Sequence, residues 1–292
     1  MNDDICSKFD ILRNYLPDKL GETGKLELRS LSNFKNYCAD ENCDTDLKKI
    51  TIGFLWLLEK NCSISKNTDD YNENNISAFF LYIISWLSYQ LNQNSERYFT
   101  KISDFYNEYI SNNQNYMNLI NDDNKCKKLK EIIDKKKDLL DINIKDMSNF
   151  YEAFKLLCSV HGTVAMSKYD NTLLGDATIF YNKYAELNDY YNVENTPHSK
   201  ILSDLLTDYN KLKEKCGSNV NNSIQFPSLP TERATKSFLE NSSIKISVIP
   251  MIFIFFALII LGITYKRSSS DFRKKLQKFN LRIKKIKRKI NH

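Results

Sequence analysis

Along the first 216 positions apolar residues recur every three or four places, the repeat of a helix with one buried face. A first helix is predicted around Asp4 to Leu16, stopping at Pro17. Asp44 or Thr45 is placed to cap a second, running through Leu47, Ile50, Phe54, Leu57 and Leu58. Ile76 to Leu91 contains no charged residue, and its stripe of Ile76, Phe79, Phe80, Ile83, Ile84, Leu87 and Leu91 fits the central helix of a bundle better than a membrane span. Tyr98, Phe99, Ile102, Phe105, Tyr106 and Tyr109 continue the repeat. Lys125 to Leu140 follows as a charged helix expected at the surface. Met147, Phe150, Tyr151, Phe154, Leu157 and Cys158 form another buried face, capped by Asp146 or Ser148. Phe180, Tyr184 and Leu187 mark a seventh helix, and Ile201, Leu202, Leu205, Tyr209 and Leu212 an eighth. No stretch sustains period-2 alternation, so an all-α helical bundle with an aromatic-rich core is predicted for residues 1–216.

The pattern then changes twice. Residues 217–245 are rich in Ser and Asn, with Pro227 and Pro230, and are expected to be a polar stalk. Residues 246–265 run uncharged from Ile246 to Tyr265; as a helix they would cover about 30 Å, the hydrocarbon thickness of a bilayer. A single transmembrane helix is therefore predicted there. Beyond it, Phe272, Leu276, Phe279, Ile283, Ile286 and Ile290 repeat at helical spacing with Lys274, Lys275, Lys284 and Lys285 among the intervening positions. This is the pattern of a basic amphipathic helix suited to an anionic cytoplasmic leaflet or to cytoskeletal docking.

Charge sharpens that division. The net charge is +6, but residues 266–292 hold twelve Lys/Arg and one acid, leaving 30 basic and 35 acidic residues in 1–265. Basic flanks stay cytoplasmic, so the C-terminus is expected in the cytosol and the helical domain in the lumen or outside. The acidic start lacks a basic segment followed by an apolar run, and the internal helix is expected to act as its own insertion signal. All seven cysteines (Cys6, Cys38, Cys43, Cys62, Cys126, Cys158 and Cys216) precede the apolar segment. Confinement to one side fits structural disulfides in an oxidising space, with one thiol left over; buried reduced cysteines are the alternative.

No motif carries catalysis. Gly21 to Lys25 resembles part of a phosphate-binding loop but has Lys19 where a glycine belongs and Leu26 where Ser/Thr would bind magnesium, so a surface turn is expected. Cys38/Cys43 and Cys158/His161 lack the spacing of a zinc site, and no cofactor is implied. Lysines from Lys125 to Lys137 alternate with acids, giving a solvated face rather than a nucleic-acid site. Asn61, Asn75, Asn221 and Asn241 begin glycosylation tripeptides of the kind that arise by chance in an Asn-rich chain.

Several segments together resemble the Plasmodium interspersed repeat (PIR) family, above all its rodent-parasite members. They are KNYCADENC (Lys35–Cys43), KITIGFLWLL (Lys49–Leu58), FLYIISWLSYQLN (Phe80–Asn92) and ISDFYNEYI (Ile102–Ile110), then MSNFYEAFKLLC (Met147–Cys158), YNKYAELN (Tyr181–Asn188) and ILSDLLTDY (Ile201–Tyr209). The resemblance implies a non-enzymatic variant antigen at a parasite or infected-cell surface, implicated in immune evasion and chronic infection. Its partners would be the bilayer and, on the N-terminal side, a host receptor or antibody; an adhesin of the same architecture is the alternative.

Overall fold

Helices form where the apolar repeat placed them. The computed structural model describes residues 3–38, 42–64, 73–94, 98–122, 126–166, 171–217 and 226–233, all within one unit, Met1–Arg233. The expected transmembrane helix and basic tail lie outside the described residues. Helix α1 (Asp3–Tyr15) buries Ile5, Cys6, Phe9 and Leu12. It ends because Leu16 precedes Pro17, and a residue before proline is driven out of helical geometry. A short α2 (Phe34–Tyr37) leads to α3 (Asp46–Ile64). Of the two expected caps Thr45 serves, its hydroxyl accepting from the Lys48 backbone N–H at 3.3 Å.

The charge-free segment becomes α4 (Glu73–Gln93), enclosed on nearly every side. Two of its buried serines are satisfied within the helix: Ser85 and Ser88 donate to the carbonyls of Tyr82 and Ile84, each at 2.9 Å. No helix of the described residues is long and apolar enough to cross a membrane. Helix α4 packs along α8 (Ile144–Ala165) and α3, forming the axis of the bundle. Helix α8 is capped by Asn143, whose side chain accepts from the Lys145 N–H at 2.8 Å, one turn before the caps the sequence suggested.

Between these helices lie α5 (Ile102–Phe105), running into a π-helical turn (Tyr106–Ile110), then α6 (Gln114–Ile120) and α7 (Lys127–Lys135). Tyr98, counted with the buried stripe, is 85% exposed, because the helix starts only at Ile102. The lysine-rich α7 is not wholly exposed either: Leu129, Ile132 and Ile133 form a buried face opposite its charges. Helices α9 (Asn171–Tyr191) and α10 (Pro197–Gly217) complete the bundle. Among the described residues no strand forms; the helices are joined by loops, with one isolated bridge between Lys101 and Asn143.

Residues 226–233, part of the expected stalk, form a strap on α9 and α10. Phe226 and Leu229 are buried, and the Tyr209 hydroxyl donates to the Pro227 carbonyl at 2.9 Å. Asn188 and Asn192 donate to the carbonyls of Glu232 and Thr231 at 2.7 and 3.1 Å. The Arg233 guanidinium reaches the Asp189 carbonyl at 2.7 Å, where the helix's unpaired carbonyls attract a cation.

Candidate functional site

Six of the seven cysteines pair, in keeping with an oxidised domain. Cys6 joins Cys158 across 152 residues, tying α1 to α8; Cys62 joins Cys126 across 64, tying α3 to the start of α7; Cys38 joins Cys43 across five. Cys216 is the thiol left over. It is buried, and burial raises its pKa, which keeps it protonated and unreactive.

A polar cluster lies where the 16–28 loop crosses the bundle. Arg13 donates to Tyr82 Oη at 2.9 Å and to Asp18 at 3.2 Å. Asp18 also accepts from Lys155 at 2.6 Å and from the Tyr151 hydroxyl. Burial alone would raise the Asp18 pKa, but Arg13 and the hydrogen bonds from Lys155 and Tyr151 outweigh it and hold the carboxyl below the ordinary range. Gln90 and Gln93 donate to the Asp18 carbonyl at 3.3 and 2.9 Å. Arg13, Tyr151 and Lys155 converge on one carboxylate, which pins the loop to α1 and α8.

The other sequence candidates resolve into structural roles. In the Gly21–Lys25 turn, Gly21 has φ +85°, a left-handed conformation that suits glycine, and a Cβ on Gly24 would meet the Tyr15 carbonyl oxygen at 2.5 Å. The glycines serve the turn and its close approach to α1. His161 is buried, its Nδ1 3.7 Å from Asp3, and burial lowers its pKa to about 4, so the imidazole is neutral. Among the described residues no group of three His, Cys, Asp or Glu is placed to hold a metal. Asn61 is fully buried and donates to the Ile76 carbonyl at 3.3 Å, so its tripeptide is inaccessible to a glycosylating enzyme once folded. Asn221, Asn241 and the tail positions lie outside the described residues.

Two grooves of comparable size, which sequence reasoning missed, open on the surface. One, of about 510 Å³, lies beside the π-helical turn, where the Tyr106 and Tyr116 hydroxyls meet at 2.6 Å above Ile120, Ile133 and Leu140. The other, of about 530 Å³, lies between α3 and α6 and is lined mainly by amides, carboxylates and Tyr37. A groove needs facing residues from distant segments, so single-helix periodicity carries no signal for it.

Helices tied by three disulfides define a disulfide-braced all-α domain. A profile of the Plasmodium variant antigen protein Cir/Yir/Bir family matches residues 6–266, and the chain belongs to that family. A solved structure described as a Plasmodium PIR protein ectodomain is similar at 26% identity and a TM-score of 0.57, covering 78% of this chain and 99% of that one. No curated protein matches the chain.

Proposed function

We propose that this member of the variant antigen family is a non-enzymatic, single-pass membrane protein that displays its helical domain outside the parasite or the infected cell, in the service of immune evasion. Family membership over residues 6–266 carries the proposal. It is supported by the uncharged run 246–265 before a strongly basic tail, and by the three disulfides, which belong in an oxidising space. The similar solved chain is described as an ectodomain, and nearly all of it is matched by this chain. The tail would lie against the anionic inner leaflet or the cytoskeleton.

Protease treatment of intact infected cells tests this. Loss of the domain with survival of a tail epitope is the expected result; complete protection, or release of the intact chain by alkaline carbonate, overturns it. A second reading, an adhesin that binds a host-cell receptor, is favoured by the groove between α3 and α6, because a pure decoy needs no preformed concavity.

A further inference from the structure

We infer that the groove between α3 and α6 is a binding site for a neutral saccharide. The inference deepens the adhesin reading and rests on the domain acting as a binding module.

Two helical stripes face one another across this groove. Asn115, Asn118, Leu119 and Asp122 follow i, i+3, i+4, i+7 spacing along α6 and its end, and Glu59, Cys62 and Ser63 follow i, i+3, i+4 spacing on α3. Facing stripes in a bundle are normally filled with apolar side chains, as between α4 and α8. Here they are mostly amide, carboxylate and hydroxyl, and a space of about 530 Å³ is left between them. Tyr37, from α2, adds an aromatic ring, and its hydroxyl has no hydrogen-bond partner among the described residues.

The groove is preorganised. Asn113 caps α6 by accepting from the backbone N–H groups of Asn115 and Tyr116 at 2.9 and 3.2 Å, which fixes the rotation of the stripe. Gln114 donates to the Asn118 side-chain Oδ1 at 2.8 Å, leaving the Asn118 side-chain N–H₂ to donate elsewhere. Asn33 donates to one Glu59 oxygen at 2.8 Å and leaves the other to accept. The Cys62–Cys126 bridge fastens the end of α3 to the segment just beyond Asp122, so the two walls are covalently tied. Side chains already held in place lose little freedom on binding.

The lining selects a ligand class. Amides offer both donors and acceptors, carboxylates accept only, and an aromatic ring offers an apolar face. A sugar presents hydroxyls of both kinds on one side of the ring and C–H groups on the other. Among the described residues no lysine or arginine lines the groove, whereas Glu59 and Asp122 do, which disfavours a phosphate, sulfate or sialic acid. The volume falls within the range of about 300–1,000 Å³ usual for small-ligand clefts.

The test uses the full chain in nanodiscs on immobilised N-acetyllactosamine, mannobiose and fucosyllactose, with 3′-sialyl-N-acetyllactosamine as the anionic counterpart. Saturable binding to at least one neutral sugar is expected, with the sialylated sugar weaker. Asn115→Ala with Asn118→Ala should lower affinity roughly thirty-fold, the loss of two ordinary hydrogen bonds, at an unchanged melting temperature. Ser63→Trp, at the exposed edge, should block the groove. No neutral binding, equal or tighter sialylated binding, or binding indifferent to both variants overturns the inference. Applying the nanodiscs to host-cell panels separates the two readings. Cell binding that persists with Ser63→Trp retains the adhesin and removes the saccharide site, whereas absence of both cell and sugar binding removes both.

Discussion

Asp18 gathers three donors from two helices: Arg13 on α1, with Tyr151 and Lys155 on α8. Its side chain is 17% exposed and that of Arg13 20%, so both charges are partly withdrawn from water. Asp18→Asn should cost about 2 kcal/mol, below the range for a fully buried pair because Arg13 keeps Asp10 at 2.5 Å. Lys155→Ala should cost less than about 1 kcal/mol, since that lysine is 48% exposed. Urea midpoints at unchanged slope would measure both. The pH dependence follows from the lowered pKa of the folded carboxyl. The unfolded chain binds the proton more tightly, so stability from this group is full above about pH 4 and falls away as acid protonates the folded carboxyl. Wild-type and Asp18→Asn stabilities should converge in acid and separate towards neutrality.

At the scale of the element, two helical glycines behave in opposite ways. A Cβ on Gly53 of α3 would lie 2.6 Å from the Trp86 Cη2 and 3.1 Å from the Leu16 Cδ2, both in the core. Gly53→Ala should destabilise by about 1–3 kcal/mol despite the better helix propensity of alanine, because the enclosed indole cannot yield. Around Gly175 of α9 nothing lies within 4 Å, so Gly175→Ala should stabilise by about 0.5–1 kcal/mol. Thermal melts of the two variants, shifted in opposite directions, would check the pair. Helix positions were legible because burial imposes a period on sequence: α1, α3, α4, α8 and α10 lie where their apolar stripes put them. Less was legible where tertiary partners decide. The stripe Leu129, Ile132 and Ile133 of lysine-rich α7 and the capping type of Asn143 were readable but outweighed by the charges and by Asp146, whereas nothing local predicts that the grooves exist. The glycines of the 21–25 turn were rightly expected in a turn, but the carbonyl that keeps Gly24 bare belongs to another segment.

Over the whole molecule the three disulfides differ chiefly in the length of chain they close. Loop-closure entropy assigns about 5 kcal/mol to Cys6–Cys158, about 4 to Cys62–Cys126 and about 2 to Cys38–Cys43, as upper figures. Paired serine substitutions should follow that order in denaturant titrations, with the Cys38/Cys43 pair costing least. In the oxidised, folded protein an alkylating reagent should leave Cys216 unmodified, and one label per chain should appear on unfolding, read by mass. The cysteines could be found in sequence, but their partners could not, because Cys6 and Cys158 meet only once α1 lies on α8.

The strap at 226–233 bears on how this domain would respond to force. A pull arriving through the chain after Arg233 is met first by its guanidinium contact, then by the backbone carbonyls gripped by Asn188, Asn192 and Tyr209. These would be loaded one after another, as a zip is opened, rather than together. Such a pull would lengthen the strap first, while the disulfide between α1 and α8 holds those two helices of the bundle together.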